Sequence, residues 1–325
     1  MSDKFREALF NEIKGSLFEY LVALEFARLA GLEASFLRGL PAHYQRVLEQ
    51  QDHMTREAYP ELLPHLPVWA KCVAQAWQTH FPGEKIEALQ LTGQLTHTDA
   101  AETQGEADFT LTSQHRRAVS LKLNKRQGAV NTKSGGIKSF FTTYFPAADV
   151  QGLQDEFNQL VDAEFSVMRF ELHQIAGLTE DADWASWRRA GLSELPGELA
   201  SDMRERLHAF YARVSLAVRA TLEKIETNHP AVFEAGLLRL CGFGTEDLVQ
   251  VICFHDIHGK HPAVVDVRIH DEHMVREHLA KRVWRTSGAI ASCEMDLADW
   301  MLQIRVKPMN KFTTTAIKMN CSVRY

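Results

Sequence analysis

An aspartate and a lysine occur in two short segments whose alternating apolar and polar residues are typical of β-strands. Asp108 lies near the start of the segment 107–112, and Lys122 lies in the segment 118–124. The five polar residues between these segments, 113–117, are a length that suits a β-hairpin. Pairing of the two strands brings a carboxylate and an ammonium group together, which is an arrangement suited to metal-assisted hydrolysis.

The second segment separates apolar from polar side chains, because residues two apart share one face of a strand. One face is predicted to enter a core and carries Val119, Leu121 and Leu123. The other face carries Ser120, Lys122 and Asn124. Three polar groups in line on an otherwise apolar strand indicate a site rather than packing alone.

This pattern resembles the PD-(D/E)XK nuclease superfamily, whose members have the restriction-endonuclease-like fold. That superfamily carries an aspartate on one strand and, on the next, an acidic residue and a lysine two positions apart. The matching residues are Asp108, Ser120 and Lys122, and Ser120 replaces the usual Asp or Glu. Some branches place a small polar residue there and draw the missing carboxylate from a nearby helix. The resemblance covers roughly residues 10–145.

The resemblance implies a metal-dependent endonuclease that hydrolyses phosphodiester bonds in DNA, with RNA as an open alternative. It implies Mg²⁺ or Mn²⁺ as the cofactor and Asp108, Ser120, Lys122 and Glu19 as catalytic residues. A role in phage defence or restriction follows from the resemblance alone.

The missing carboxylate is predicted to come from a long amphipathic helix over residues 4–30. Its apolar residues recur at three- and four-residue spacing: Phe5, Leu9, Ile13, Leu17, Leu21 and Leu24. Glu19 lies on a second face, and in the resembling family a glutamate of the first core helix completes the metal site. Glu106, two residues before Asp108, is a further candidate metal ligand, as is the backbone carbonyl of Leu121. The alternative is that Glu19 is an ordinary boundary glutamate.

Basic residues cluster around the hairpin although the formal net charge of the chain is −6. Residues 109–148 contain no Asp or Glu. Six basic residues there are predicted to contact nucleic-acid phosphates: Arg116, Arg117, Lys125, Arg126, Lys133 and Lys138. The glycine-rich stretch 134–136 is predicted to be a loop whose backbone amides hold an anion. Solvated strand faces are the alternative reading.

Composition restricts the class of protein. The chain has 325 residues, of which 45% are hydrophobic and 24% charged, as in globular proteins. No apolar run reaches the roughly 18 residues of a membrane helix, and the charged N-terminus is unlike a secretory signal. The five cysteines form no CxxC pair, which argues against a disulfide scaffold and a zinc knuckle. A cytoplasmic location without membrane contact is expected.

The predicted fold class is α/β (α+β), with a central mixed sheet flanked by helices. Residues 1–148 are predicted to form the nuclease-like core with its N-terminal helices. Residues 149–230 read as a helical insertion, with helices over 151–172 and 201–227. Residues 231–325 are predicted to extend the core with further strands.

Two other functions remain open. One is a non-catalytic subunit of a defence complex that binds nucleic acid or a partner protein, including a second copy of this chain. The other is a metal phosphohydrolase that uses the histidines around His255 and His270. A histidine-rich turn and an ordinary helix start are the simpler explanations of those two stretches.

Overall fold

The computed structural model describes residues 3–92, 107–125, 128–244, 247–256, 264–285, 291–308 and 317–325. The chain divides into two compact units. The first contains residues 1–128 and 244–275, and the second contains residues 129–243 and 276–325. Each unit holds one five-stranded sheet and several helices. The predicted mixed α/β class is confirmed, with two sheets where the sequence suggested one.

Four helices precede the first sheet. They are α1 (Asp3–Leu29), α2 (Glu33–Gly39), α3 (Ala42–Ala58) and α4 (Leu66–His80). The helix predicted over residues 4–30 is confirmed as α1. It ends because Gly31 adopts a positive φ of 72°, and Leu32 N–H donates to the Ala27 carbonyl at 2.7 Å. This is a Schellman-type ending, which favours glycine because a side chain strains that backbone conformation.

The first sheet has the order β1-β2-β3-β5-β6. Its strands are β1 (Ala88–Leu91), β2 (Phe109–Thr112), β3 (Arg116–Lys125), β5 (Leu248–His255) and β6 (Val264–Asp271). Strands β3 and β5 are parallel, whereas the other three neighbouring pairs are antiparallel. The predicted β2–β3 hairpin is confirmed, with Phe109 opposite Val119.

One face of the first sheet forms the core with α1 and α4. Val119 and Leu121 are buried there, as the strand alternation predicted, and Leu123 packs against the same core. Phe26 of α1 lies with its ring centroid 5.7 Å from that of Phe109 and 5.4 Å from that of Trp77. Burying one such side chain contributes about 1.5–3 kcal/mol. These contacts hold α1 against the hairpin and so position the residues two turns upstream of Phe26.

The second unit contains an antiparallel sheet with the order β4-β10-β9-β8-β7. Its strands are β4 (Val130–Gly136), β7 (Arg282–Trp284), β8 (Ser292–Leu297), β9 (Trp300–Pro308) and β10 (Ile317–Arg324). Its helices are α5 (Phe140–Tyr144), α6 (Val150–Ile175), α7 (Trp184–Arg189), α8 (Ser201–Asn228) and α9 (Pro230–Leu240). The chain passes from the first unit to the second within α10 (Glu272–Leu279). The helices predicted over 151–172 and 201–227 correspond to α6 and α8.

The glycine-rich stretch 134–136 corrects a prediction. It belongs to β4, where Gly135 lies opposite Met319 and Ser134 opposite Asn320 of β10. The predicted anion-holding loop is therefore wrong, because this segment pairs with a strand far away in sequence. The aromatic run that follows is core, since Phe140, Phe141 and Phe145 are at most 1% exposed.

Candidate active site

Asp108 is held by the register of the β2–β3 hairpin. Its backbone N–H donates to the Val119 carbonyl at 2.8 Å. Its carboxylate Oδ2 accepts a hydrogen bond from the backbone N–H of Leu121 at 2.6 Å. Both contacts are to β3 residues that flank Ser120. The half-buried carboxylate is thereby fixed beside the strand that carries Ser120 and Lys122.

Glu19 of α1 joins Asp108 and Lys122 in one electrostatic neighbourhood. The pKa of Glu19 is raised to about 8, chiefly by burial and then by the charge of Asp108, while Lys122 acts in the opposite direction. Two carboxylates placed close together repel when both are ionised, which raises a pKa. Asp108 and Lys122, predicted from separate segments, therefore both act on Glu19 in the fold.

Ser120 lies beside a polar residue that the sequence analysis did not single out. Gln250 of β5 is its partner across the parallel β3–β5 pair. Both side chains are almost fully buried, at 2% exposure for Ser120 and 1% for Gln250. The signal was visible in retrospect, because Gln250 is the one amide in the otherwise apolar run 248–254. A neutral hydroxyl and a neutral amide are therefore neighbours on adjacent strands in the interior of the sheet.

Tyr44 of α3 is a second residue that sequence reasoning missed. Its side chain is 3% exposed. Its pKa is raised well above the ordinary value, first by burial and then by the charges of Glu19, Tyr20 and Asp108. Its phenol therefore stays neutral beside the carboxylate pair and can donate a hydrogen bond. No pattern in the proline-punctuated stretch 41–81 pointed to it.

The donor set suits a hard divalent cation. Mg²⁺ takes oxygen ligands and is commonly held by one or two carboxylates together with water and substrate phosphates. Asp108 and Glu19 provide two carboxylates, and a cation between them offsets the repulsion that raises the pKa of Glu19. Within the described ranges no group of three or more His, Cys, Asp or Glu side chains is arranged to hold an ion. Glu106 lies outside the described residues.

The basic residues predicted to contact phosphates divide into several groups. Arg116 and Lys125, at opposite ends of β3, are exposed. Arg117 forms an ion pair with Glu84 at 3.1 Å, and its guanidinium lies 4.2 Å from the Phe81 ring centroid.

The other three residues lie elsewhere in the chain. Lys138 and Lys133 belong to the second unit, where Lys138 forms an ion pair with Asp162 at 2.7 Å. Arg126 lies outside the described residues. Arg117 and Lys138 therefore already have anionic partners, whereas Arg116 and Lys125 present their charges to solvent.

The two histidine stretches do not form one site through His255 and His270. His255 ends β5, and His270 of β6 lies opposite Gln250. Five residues of extended strand separate those positions, which is about 16 Å at about 3.3 Å per residue. Residues 257–263 lie outside the described part of the chain. A phosphohydrolase centre shared by His255 and His270 is incompatible with this register.

No family model matches this chain, and no curated protein and no solved structure is significantly similar to it. Among the residues that the structure describes, no helix is both long and apolar enough to span a membrane. Arguments about function therefore depend on the site itself.

Proposed function

We propose that this protein is a Mg²⁺- or Mn²⁺-dependent nuclease that hydrolyses phosphodiester bonds in DNA. One observation carries the proposal: burial and the charge of Asp108 raise the pKa of Glu19 while Lys122 opposes that shift, although the three residues come from α1, the residue before β2 and β3. Repelling carboxylates beside a lysine are costly to assemble, and such perturbed groups are concentrated at functional sites. The superfamily resemblance, which rests on the same residues, also supports the proposal.

Each residue of the site has a separate role in the proposed hydrolysis. A bound divalent ion supplies Lewis acidity and lowers the pKa of a coordinated water. Asp108 and Glu19 would hold that ion, and the Leu121 N–H keeps the Asp108 carboxylate oriented. Lys122 orients the attacking water and offsets the negative charge that develops on the phosphate. Tyr44 donates a hydrogen bond within the site while remaining neutral.

Ser120 and Gln250 make this a site of reduced negative charge. Each carboxylate that is replaced by a neutral group weakens the attraction for a divalent cation. We therefore expect weaker metal binding than a site with three carboxylates would have. Ser120 contributes a hydroxyl or a water-mediated contact to the ion, and Gln250 supports it from the neighbouring strand.

Exposed basic residues position the substrate. Arg116 and Lys125 bind backbone phosphates, which adds affinity that falls with salt and carries no sequence information. Lys133 of the second unit remains a predicted contact, as does Arg126. Cytoplasmic phage defence or restriction is the role that the resemblance implies, and RNA is the alternative substrate.

The test is cleavage of plasmid and single-stranded DNA in Mg²⁺ or Mn²⁺. Wild type is compared with Asp108→Ala and Lys122→Ala, and with Lys71→Ala as a matched control on the exposed face of α4. We expect cleavage by wild type and Lys71→Ala only. Loss of one electrostatic contributor lowers rates by about 10²–10³. Cleavage that survives both substitutions contradicts the proposal.

A second candidate is a non-catalytic nucleic-acid-binding subunit of a defence complex. The observation that favours it is the neutral Ser120–Gln250 pair, which leaves two described carboxylates in the site. This candidate predicts salt-sensitive DNA binding without cleavage in either metal. It also predicts that Asp108→Ala binds DNA as well as wild type or better, because one negative charge is removed.

A further inference from the structure

A second cluster of ionisable groups lies in the first unit, at the ends of the two parallel strands. Lys125 is the last residue of β3, and His255 is the last residue of β5. The parallel register places them directly beside each other. Lys125 is exposed, whereas His255 is fully buried.

The helix α1 adds a buried lysine to this pair. Lys14 is 7% exposed, although lysine is almost never buried without a partner. Its ammonium lies 5.8 Å from the Phe10 ring centroid. Burial lowers the pKa of Lys14, and the charge of Lys125 lowers it further. Lys14 and Lys125 are therefore close enough to repel.

The imidazole ring of His255 is buried and has no hydrogen bond to the described residues. Its ring stacks on that of Trp69, with the centroids 4.5 Å apart and an interplanar angle of 14°. Neither Nδ1 nor Nε2 has a hydrogen-bond partner in the part of the chain that the structure describes. Leaving a buried polar group unsatisfied costs about 1–3 kcal/mol, so a missing partner is the natural explanation.

The charges within the cluster show which kind of partner is missing. The pKa of His255 is lowered to about 4 by burial and then by the positive charges of Lys14 and Lys125. Asp256 acts in the opposite direction but is the smallest of these influences. The cluster is thus dominated by positive charge, and an anion would relieve both the repulsion and the unsatisfied donors.

We propose that Lys14, Lys125 and His255 form a binding subsite for a phosphate group. Lys125 meets the anion at the open end of the strands, and Lys14 and His255 provide its buried wall. Phosphate is favoured over a carboxylate because it presents several oxygens to three separate donors at once. Lys14 is held within the fold at 7% exposure, with its ammonium over the Phe10 ring.

The place of this subsite relative to the candidate active site identifies its ligand more closely, and this step rests on the proposed function. Lys14 and Glu19 are five residues apart on α1, about 7.5 Å at 1.5 Å per residue. Lys122 and Lys125 are three residues apart on β3, about 10 Å. The odd separation turns the side chains of Lys122 and Lys125 to opposite faces of β3, so these spacings give a distance along the fold and not a number of nucleotides. The ligand is inferred to be a nucleic-acid phosphate, either internal or terminal.

The first experiment measures binding of inorganic phosphate to the full chain by calorimetry, without divalent metal and at constant ionic strength. Wild type is compared with Lys14→Met and with Lys71→Met, whose lysine is exposed on α4. We expect one phosphate per chain, bound at least about tenfold more weakly by Lys14→Met, since hydrogen bonds to charged groups contribute more than that factor requires. Lys71→Met should bind as wild type does.

The same experiment has outcomes that overturn the inference. Absence of phosphate binding by wild type contradicts it, and so does equal binding by wild type and Lys14→Met. Methionine has a similar length and keeps the apolar stem, so Lys14→Met is expected to fold. Lys125→Gln, at an exposed position, supplies a second test that does not depend on the core and should also weaken binding.

The second experiment separates the two sources of phosphate. Short oligonucleotides with and without a terminal phosphate are titrated without metal into wild type and Lys14→Met. A wild-type preference for the phosphorylated end that Lys14→Met loses identifies a terminal phosphate. Equal affinities that Lys14→Met weakens equally identify an internal phosphodiester. Binding that Lys14→Met leaves unchanged for both oligonucleotides contradicts the subsite.

This inference and the proposed nuclease activity fail separately. Asp108→Ala should abolish cleavage and leave the binding of inorganic phosphate intact. Cleavage that depends on Asp108 and Lys122, combined with no phosphate binding, would contradict only the phosphate subsite. Phosphate binding that depends on Lys14, combined with no cleavage in any metal, would remove only the nuclease proposal.

Discussion

The two ionisable clusters of the first unit are built from the same two elements but carry opposite charge. Both combine residues of α1 and of β3. In one, the charges of Asp108 and Lys122 act on Glu19. In the other, the charge of Lys125 acts on Lys14, and both lysines act on His255. In each cluster burial and like charge shift the pKa values toward the neutral form. Both are therefore suited to a ligand of opposite charge, a divalent cation in the first and a phosphate in the second.

The clusters differ in the hydrogen bonds that their side chains form. Asp108 accepts a hydrogen bond from the Leu121 N–H and stays oriented without a ligand. The His255 ring has no hydrogen bond to any described residue. The acidic cluster is thus preorganised by the hairpin, whereas the basic cluster depends more on its ligand. A comparison of variants in the two clusters can test this contrast directly.

The largest expected effect is that of Asp108→Asn on cleavage. Removing one of two carboxylates should lower the cleavage rate by about 10²-fold or more. The substitution also removes a repulsive charge, so the pKa of Glu19 should fall toward its ordinary value. Carboxyl ¹³C NMR titration of Glu19 in both proteins checks this. An unchanged pKa of Glu19 would show that burial alone, and not Asp108, sets it.

The next effect is acid destabilisation through His255. Its native pKa of about 4 lies below the ordinary value of 6.5, so the unfolded chain binds more protons between these values. The contribution of His255 to the free energy of unfolding is therefore fully present above pH 6.5 and is lost as the pH drops toward 4. At about 1.4 kcal/mol for each pH unit, the loss is on the order of 3 kcal/mol.

Urea unfolding at several pH values measures this loss. His255→Gln should flatten the pH dependence in that window, because glutamine does not titrate. Saturating phosphate should also reduce it, because a bound anion favours the protonated ring. A variant that keeps the full wild-type slope would assign the acid sensitivity to other groups.

The third effect has the opposite pH dependence and comes from Glu19. Its native pKa is raised above the unfolded value, so its contribution to stability is present at low pH and is lost as the pH rises through about 8. Above that pH, Glu19→Gln should be more stable than wild type by about 1–2 kcal/mol. Glu49→Gln, at an exposed position of α3, is the matched control and should change stability little.

Bound metal should make wild type more stable than Glu19→Gln. Mg²⁺ at about 100 times its Kd stabilises a binding-competent protein by about 2.7 kcal/mol. Wild type should gain this stabilisation, and Glu19→Gln should gain much less. Equal stabilisation of the two proteins would place the ion elsewhere than on Glu19.

The smallest expected effect is stabilisation by Lys14→Met. The substitution removes a buried charge and keeps an apolar side chain of similar length. The free energy of unfolding in phosphate-free buffer should rise by about 1 kcal/mol, whereas Lys71→Met should stay within about 0.5 kcal/mol of wild type. Destabilisation by Lys14→Met would instead indicate that Lys14 has a structural partner.

The comparison of sequence and structure is most informative at the hairpin and at the glycine-rich segment beyond it. Alternation over residues 107–124 predicted the β2–β3 pair and the burial of Val119 and Leu121, because both depend on local period. The same reasoning predicted a loop at 134–136, where the structure has a strand. It pairs with β10, whose residues are about 185 positions away. A local sequence pattern cannot predict pairing with so distant a strand.

The sequence by itself determined the α1 helix, the hairpin and the identities of Glu19, Asp108 and Lys122 as candidates. A helix repeats every three to four residues and a strand every two. Both periods are local, so the helix and the hairpin can be predicted from the sequence. Only the tertiary structure shows that Gln250 pairs with Ser120, that Glu19 acts on Tyr44 and that Lys14 acts on His255. Those neighbours are brought together by packing of α1, α3 and β5 from distant parts of the chain. Burial and charge repulsion, which set their pKa values, exist only once that packing has formed.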